Sequence, residues 1–346
     1  MRDLSIYKNF ESTHAVDPRM YERYTIKRGL RNADGSGVVV GVTSVSNVHG
    51  YVISDEEKTA DEGVLTYRGY NIVDLVSNAV DEKRFGFEEA AYLLMSGDLP
   101  TQTELEKFNK LLQEQRDLPD GFTINYIAQP PTRDIMNAMG RSILSLYAFD
   151  ERAEERSAEH EVDTAIMLMS RLPRIMVLAY HVLRNKFHGD SLFIHPYREG
   201  EATAETILSM LRPDREYTEL EARVLDVMMM IHAEHGGGNN STFSCRSLTS
   251  ADTDPYSAYA AAIGSLKGAR HGGANARVLA MADDAMEHIK DAVDEGSVAD
   301  YLNKVLDGKA FDHTGLIYGM GHAVYTLSDP RAILLKKICA QTGGRH

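Results

Sequence analysis

Cysteine is scarce: only Cys245 and Cys339 occur in 346 residues. No CxxC pair can form, which excludes zinc-finger and disulfide-scaffold readings. No run approaches the ~18 apolar residues of a membrane-spanning helix. The start, Met1-Arg2-Asp3-Leu4-Ser5, leads into mixed polar sequence without the apolar stretch of a signal peptide. Basic charge is also short. Thirty-seven Lys and Arg against 51 Asp and Glu leave a net charge of −14, which argues against general affinity for nucleic acid or anionic membranes. A small anion in a local basic pocket stays possible. The 43% apolar and 25% charged residues are the mixture of an ordinary globular chain. Its length points to two domains with a core that needs no disulfide or metal staple. The expectation is an acidic, soluble, cytoplasmic protein.

Strand signal is confined to one place. Gly37 to Val45 (GVVVGVTSV) is β-branched between glycines, and a short hairpin can continue through Gly50-Tyr51-Val52-Ile53. Later segments have helical spacing. Leu105, Phe108, Leu111 and Leu112 share a face after Thr103. Thr218 and Glu221 form a capping box ahead of Leu220, Val224, Val227 and Ile231. Strands do not alternate with helices, so a parallel α/β sheet is not expected and the class is mainly α. Glu151 to Glu161 and Asn185 to Glu201 read as exposed connections. The small residues Ala258, Ala260, Ala261, Ala262, Gly264 and Ser265 mark a closely packed helix, in the core or at a subunit contact.

Chemistry concentrates in three segments that pair glycine with histidine. In His232-Ala233-Glu234-His235-Gly236-Gly237-Gly238-Asn239-Asn240, three glycines end a helix and let backbone approach a ligand. His232 and His235 share a helix face. They lack the HExxH pattern and a third metal ligand, so His232 reads as a helix-end residue bonding the last carbonyls and His235 as functional. In Leu266 to Asn275 (LKGARHGGAN), Lys267 and Arg270 flank a glycine turn that opens a helix, a weak anion signal. In Gly319-Met320-Gly321-His322, a tight turn exposes His322, and Arg331 nine residues on can grip a carboxylate or pair with Asp329. Two histidines on glycine turns can donate to carbonyl oxygens and stabilise a developing enolate or alkoxide. Ser/His/Asp hydrolysis fits less well, because no G-x-S-x-G elbow is present.

These segments, together with Gly63 to Ile72 (GVLTYRGYNI), Phe87 to Leu94 (FEEAAYLL) and Leu99-Pro100-Thr101, resemble the citrate synthase family nearly end to end, most of all its bacterial, clostridial-type members. The resemblance implies a mainly α, two-domain helical fold with a short N-terminal β-hairpin, a large domain over about 1–234 and a small one over 235–346. It implies a homodimer, no metal or bound cofactor, and acetyl-CoA as co-substrate with oxaloacetate. The implied reaction condenses the two and hydrolyses the citryl thioester to citrate and CoA. By the same resemblance His235 donates to the thioester carbonyl, His322 polarises the oxaloacetate carbonyl, and Arg331 clamps oxaloacetate. Leu316, Ile317, Tyr318, Gly319, Met320 and Gly321 match the loop over CoA. Two other readings are carried: 2-methylcitrate synthase, using propionyl-CoA, and a non-catalytic ligand-binding homologue.

The sequence departs from the family pattern in three respects. The family's catalytic aspartate and two further arginines fall beyond His346, so the sequence is expected to be part of a longer chain. A third substrate-binding histidine is absent from the comparable Gly200 to Leu208 stretch, with His195 the nearest. Tyr318 and Ala269 stand where the family commonly has proline, which should tune loop stiffness rather than abolish binding.

Overall fold

The structure, a computed structural model, describes residues 19, 40, 43–54, 57–289, 291, 294–322 and 324–342. Residues 42–346 form one compact unit and 1–41 another. Of the second, only Arg19 and Val40 are described.

The strand signal lands later than expected. Residues 37–39, 41 and 42 lie outside the described residues, and Val40, Thr43, Ser44 and Val45 are not strand. Val45 accepts from Arg68 N at 2.7 Å where the ladder runs out, and its own N donates to Thr43 Oγ1 at 3.0 Å. The hairpin itself is present and longer than expected. Strand β1 (Ser46–Ser54) pairs antiparallel with β2 (Glu57–Tyr67), and β2 with the short β3 (Tyr70–Asn71). Arg68 and Gly69 both have positive φ, 50° and 92°, the geometry that a two-residue hairpin turn requires.

Helices supply the rest of the described body. They are α1 (Ile72–Asp81), α2 (Phe87–Ser96), α3 (Gln102–Glu114), α4 (Ile135–Leu146), α5 (Ala158–His188) and α6 (Thr203–Leu211). After them come α7 (Glu219–His232), α8 (Asn240–Thr249), α9 (Pro255–Leu266), α10 (Ala274–His288), α11 (Glu295–Leu306) and α12 (Pro330–Thr342). Helix α3 starts earlier than the apolar spacing indicated, because Thr101 and Glu104 form a capping box. Helix α7 begins at the expected Thr218–Glu221 box.

Two cores matter for position. One joins α4, α5 and α9 through Ile143, Leu146, Leu168, Ile175, Leu178 and Tyr256. Helix α5 is long and apolar enough to cross a membrane, unlike what the sequence led us to expect, yet half of that stretch is buried and its Leu168, Ile175 and Leu178 line this core. It reads as a core helix. The small-residue helix α9 packs on α4, where Gly140 lets Ile263 and the Ala260 carbonyl come close. The second core unites β2, α1, α2, α7 and α12 through Leu65, Tyr67, Ile72, Leu93, Val227, Ile231, Leu334 and Ile338. Each such aliphatic side chain contributes roughly 1.5–3 kcal/mol on burial. This core holds the end of α7 and the start of α12 against one strand.

Candidate active site

The first histidine is positioned by β2. Tyr67 has 0% of its surface exposed. Its hydroxyl lies 2.9 Å from the Met230 carbonyl and 3.1 Å from that of Glu234, and accepts from Glu234 N at 3.3 Å. The last turn of α7 is thereby tied to the strand. The Glu234 carboxylate accepts from Ser46 Oγ at 2.9 Å and from Gly236 N at 2.6 Å. His235 sits between these two anchored residues. Gly236, at φ 84°, turns the chain where a Cβ would lie 3.1 Å from Val48 Cγ2. Asn239 then caps α8 by accepting from Ser241 N at 2.8 Å. His232 does what a helix-end histidine was expected to do, its Nδ1 lying 2.6 Å from the Met228 carbonyl.

The second histidine has a defined tautomer. His322 Nδ1 accepts from Val324 N at 3.1 Å and Tyr325 N at 3.0 Å. A nitrogen that accepts twice carries no proton, so in the neutral ring the proton is on Nε2, leaving a single outward donor. Burial first and Arg331 second hold the His322 pKa below that of a free imidazole. Burial, then Arg331, then His322 push His235 down to about 4. Both rings are therefore neutral near pH 7. The two ring centroids are 5.1 Å apart at 85°. His235 Nε2 is buried and has no hydrogen-bond partner.

Beside both lies Tyr325, to which the sequence reading assigned no role. Its ring stacks on His322 at 4.6 Å and 24°, meets His235 edge-on at 5.6 Å, and lies 5.6 Å from the Arg331 guanidinium. Only 7% of it is exposed, its hydroxyl has no partner, and burial raises its pKa to about 12. Arg331 opens α12 and is gripped by Asp329, with Nε to Oδ1 at 3.0 Å and Nη2 to Oδ2 at 2.7 Å. Burial pushes the Asp329 carboxyl up, but Arg331 outweighs it and holds the group below the usual carboxylate range. The pairing considered as an alternative for Arg331 is thus present, in the same cluster as the histidines.

The structure brings His235, His322 and Arg331 together. Leu316–Gly321 runs directly into His322 as an open segment, with Met320 76% exposed and Leu316 56%. Gly319 has φ 81°, and a Cβ there would lie 3.0 Å from a Val278 methyl, while Tyr318 donates to Asp312 at 2.7 Å. In the LKGARHGGAN turn, His271 lies 2.9 Å from Ser241 Oγ and Lys267 is paired with Asp134 at 3.2 Å, while Arg270 is exposed. His195 is placed elsewhere: it stacks on Phe193 at 5.8 Å beside His181 and Arg215. Two cavities of about 330 and 340 Å³ are lined by other residues, among them His160, Tyr256, Arg116 and Glu201, and neither is lined by the histidine pair. Tyr67, Glu234 and Asp329 were not singled out as supports of the site from the sequence. The signal for Tyr67 lay inside the quoted GVLTYRGYNI run.

Comparison with known proteins agrees with this arrangement. The family model for the citrate synthase C-terminal domain matches residues 33–345. A citrate synthase of Synechocystis sp. is 32% identical over 326 residues, covering 93% of this chain and 71% of that protein. The 2-methylcitrate synthase 1 of Corynebacterium glutamicum is 31% identical, over 93% of this chain and 75% of that protein. Among solved structures, the Thermoplasma acidophilum citrate synthase in ternary complex with carboxymethyl coenzyme A and oxaloacetate superposes with TM-score 0.70. It is 26% identical and covers 88% of this chain and 71% of that one. With the histidine pair and arginine assembled on a mainly α body, and a family match along nearly its whole length, this chain belongs to the citrate synthase family.

Proposed function

We propose that the protein condenses acetyl-CoA with oxaloacetate and hydrolyses the resulting thioester, an acyl transfer in which the acyl group becomes an alkyl group. The observation that carries this reading is the neutral His322, whose Nδ1 is filled by two backbone N–H groups so that Nε2–H is the donor left for a substrate oxygen. In the reaction a proton leaves the acetyl methyl and a C–C bond forms to the oxaloacetate carbonyl carbon. That carbonyl oxygen takes a proton as the alkoxide develops. Water then cleaves the thioester, releasing citrate and CoA.

His322 Nε2–H donates to the carbonyl oxygen that becomes the alkoxide, the place where a fixed donor is most effective. His235, neutral and with Nε2 unpartnered, serves the thioester oxygen as the enol forms. Arg331 receives an oxaloacetate carboxylate with the donors that Asp329 leaves free. The family pattern assigns the methyl proton to an aspartate that follows Asp329-Pro330-Arg331. Leu316–Gly321 covers CoA, its glycines allowing close approach of backbone to ligand. A large domain to about residue 234 and a small one from 235 would place His235 at the hinge, so that closure excludes water. A cytoplasmic homodimer without metal or bound cofactor completes the proposal.

A second reading, 2-methylcitrate synthase, is favoured by the Corynebacterium relative. One methylene separates the acyl donors and is worth ~1–3 kcal/mol in a pocket. The test is CoA thiol release with acetyl-CoA and propionyl-CoA, each with and without oxaloacetate. Release that requires oxaloacetate and prefers acetyl-CoA supports the first reading, and a propionyl-CoA preference selects the second. No release with either donor would sink both.

A further inference from the structure

The segment between His322 and Arg331 crosses the β1–β2 hairpin at an irregular place. His49 pairs with Val64 and Tyr51 with Ala60, so Gly50 alone faces the three residues Asp61, Glu62 and Gly63. A bulge of this kind frees backbone groups from the ladder. Here the freed groups are used by the site segment. The Thr326 hydroxyl donates to the Gly50 carbonyl, lies 3.1 Å from the Asp61 carbonyl, and accepts from Asp61 N at 3.1 Å. Ser328 Oγ accepts from Gly63 N at 3.1 Å and donates to the Glu62 carboxylate. From the hairpin side, His49 Nε2 meets Asp61 Oδ2 at 2.8 Å and steadies the bulge.

The contact is too close for side chains at the two glycines. A Cβ on Gly63 would lie 2.1 Å from the Ser328 carbonyl, and one on Gly50 would lie 2.7 Å from Tyr325 Cα. Backbone thus lies directly on backbone. The anchored residues sit between the two ends that matter. Upstream, Val324 N and Tyr325 N set the His322 tautomer. Downstream, Asp329 grips Arg331.

We infer that Thr326 and Ser328 are positioning residues for the reaction: clasped by the Asp61–Gly63 bulge, they fix the segment that orients His322 and Arg331 toward oxaloacetate. The inference rests on the proposed function for the identity of the ligand, and on the hydrogen-bond geometry for the clasp. Neither residue is a catalytic group, since both hydroxyls are spent on the hairpin. Their effect passes through the donor direction of His322 and the location of the Arg331 fork. A misplacement of about 1 Å in such groups can cost roughly a hundredfold in rate.

The test compares the full chain with Thr326→Val, Thr326→Ser and Ser328→Ala. Three readouts are taken: oxaloacetate binding by calorimetry, kcat and KM for CoA thiol release, and the ¹⁵N shifts of the His322 ring. Thr326→Val keeps the side-chain volume and loses the hydroxyl. It is expected to melt as a folded protein, weaken oxaloacetate binding roughly tenfold or more, and move the His322 ¹⁵N signals. Thr326→Ser is expected to restore both. A Thr326→Val protein with unchanged affinity and unchanged His322 signals overturns the inference. If the unmodified protein binds no oxaloacetate, the proposed ligand is wrong, and that failure is seen in the control before any variant is measured.

Discussion

His235 and His322 meet edge to face, their ring centroids 5.1 Å apart and their planes at 85°. Burial first and Arg331 second lower the proton affinity of both rings, and His322 adds to the effect at His235. Two neutral donors at right angles can serve two different oxygens, one on each reactant.

The outward donor of His322 carries the first prediction. His322→Ala should lower oxaloacetate-dependent thiol release by roughly 10²–10³-fold, the usual cost of removing one donor from a developing oxyanion. His322 lies outside both hydrophobic cores, so the melting temperature should stay close to that of the unmodified chain. Steady-state kinetics and a thermal melt check both halves, and near-normal turnover would refute the assigned donor.

Acid should act through His235. Its pKa falls from 6.5 to about 4 on folding, so between those values the unfolded chain binds the extra proton. The linkage then makes stability rise with pH across about 4 to 6.5 and level off above. His235→Gln should remove that part of the slope. NMR titration of the ring gives the direct check, and a midpoint near 6.5 in the folded protein would contradict the burial argument.

Asp226 should slope the other way. It accepts from Gly86 N at 2.8 Å and Phe87 N at 3.1 Å at the start of α2, and burial lifts its pKa from 3.8 to about 7. The folded protein therefore holds a proton that the unfolded chain releases between those values. Its contribution to stability is fully present below pH 3.8 and is lost as pH rises toward 7. Asp226→Asn should flatten this dependence in denaturant titrations run across pH. An unchanged pH profile would count against it.

Arg331→Lys should raise the oxaloacetate KM by roughly tenfold or more, because an ammonium cannot reproduce the planar fork that Asp329 already orients. The acetyl-CoA KM should change much less. Equal changes for both substrates would show that Arg331 does not contact oxaloacetate selectively.

Tyr67→Phe should destabilise the protein by about 1–3 kcal/mol, since it removes the buried hydroxyl that donates to the Met230 carbonyl and accepts from Glu234 N. Urea unfolding measures the loss. Because the same hydroxyl ties down the turn that carries His235, turnover should fall as well.

The chemistry was legible where it depends on residue types that have few other uses. HGGGNN and GMGH stand out because glycine at positive φ and histidine together do little for a core. The Thr218–Glu221 box was readable for the same reason, as a local rule with a local outcome. Tyr67 and Tyr325 were not assigned roles, because a tyrosine in an apolar run is ordinary core until its hydroxyl partners are known. Of the Gly37–Val45 signal, Val40 and Thr43–Val45 are not strand, because the ladder begins only where Ser46 meets Tyr67, and the other positions lie outside the described residues. The bulge at Asp61–Gly63 leaves no mark in composition at all. It is a mismatch in register between two strands, visible only when both are in place.

That bulge also bears on when the site can form. Hairpin β1–β2 is built from neighbours in sequence, whereas Gly63 and Ser328 are 265 residues apart. Closing so long a loop is entropically costly and slow compared with local pairing. During synthesis the hairpin is complete while its receptor groups still face water, and they are satisfied only once Thr326 and Ser328 have emerged. The proposed site is therefore completed only after local pairing is over, and its completion doubles as a report that two distant parts of the polypeptide have met.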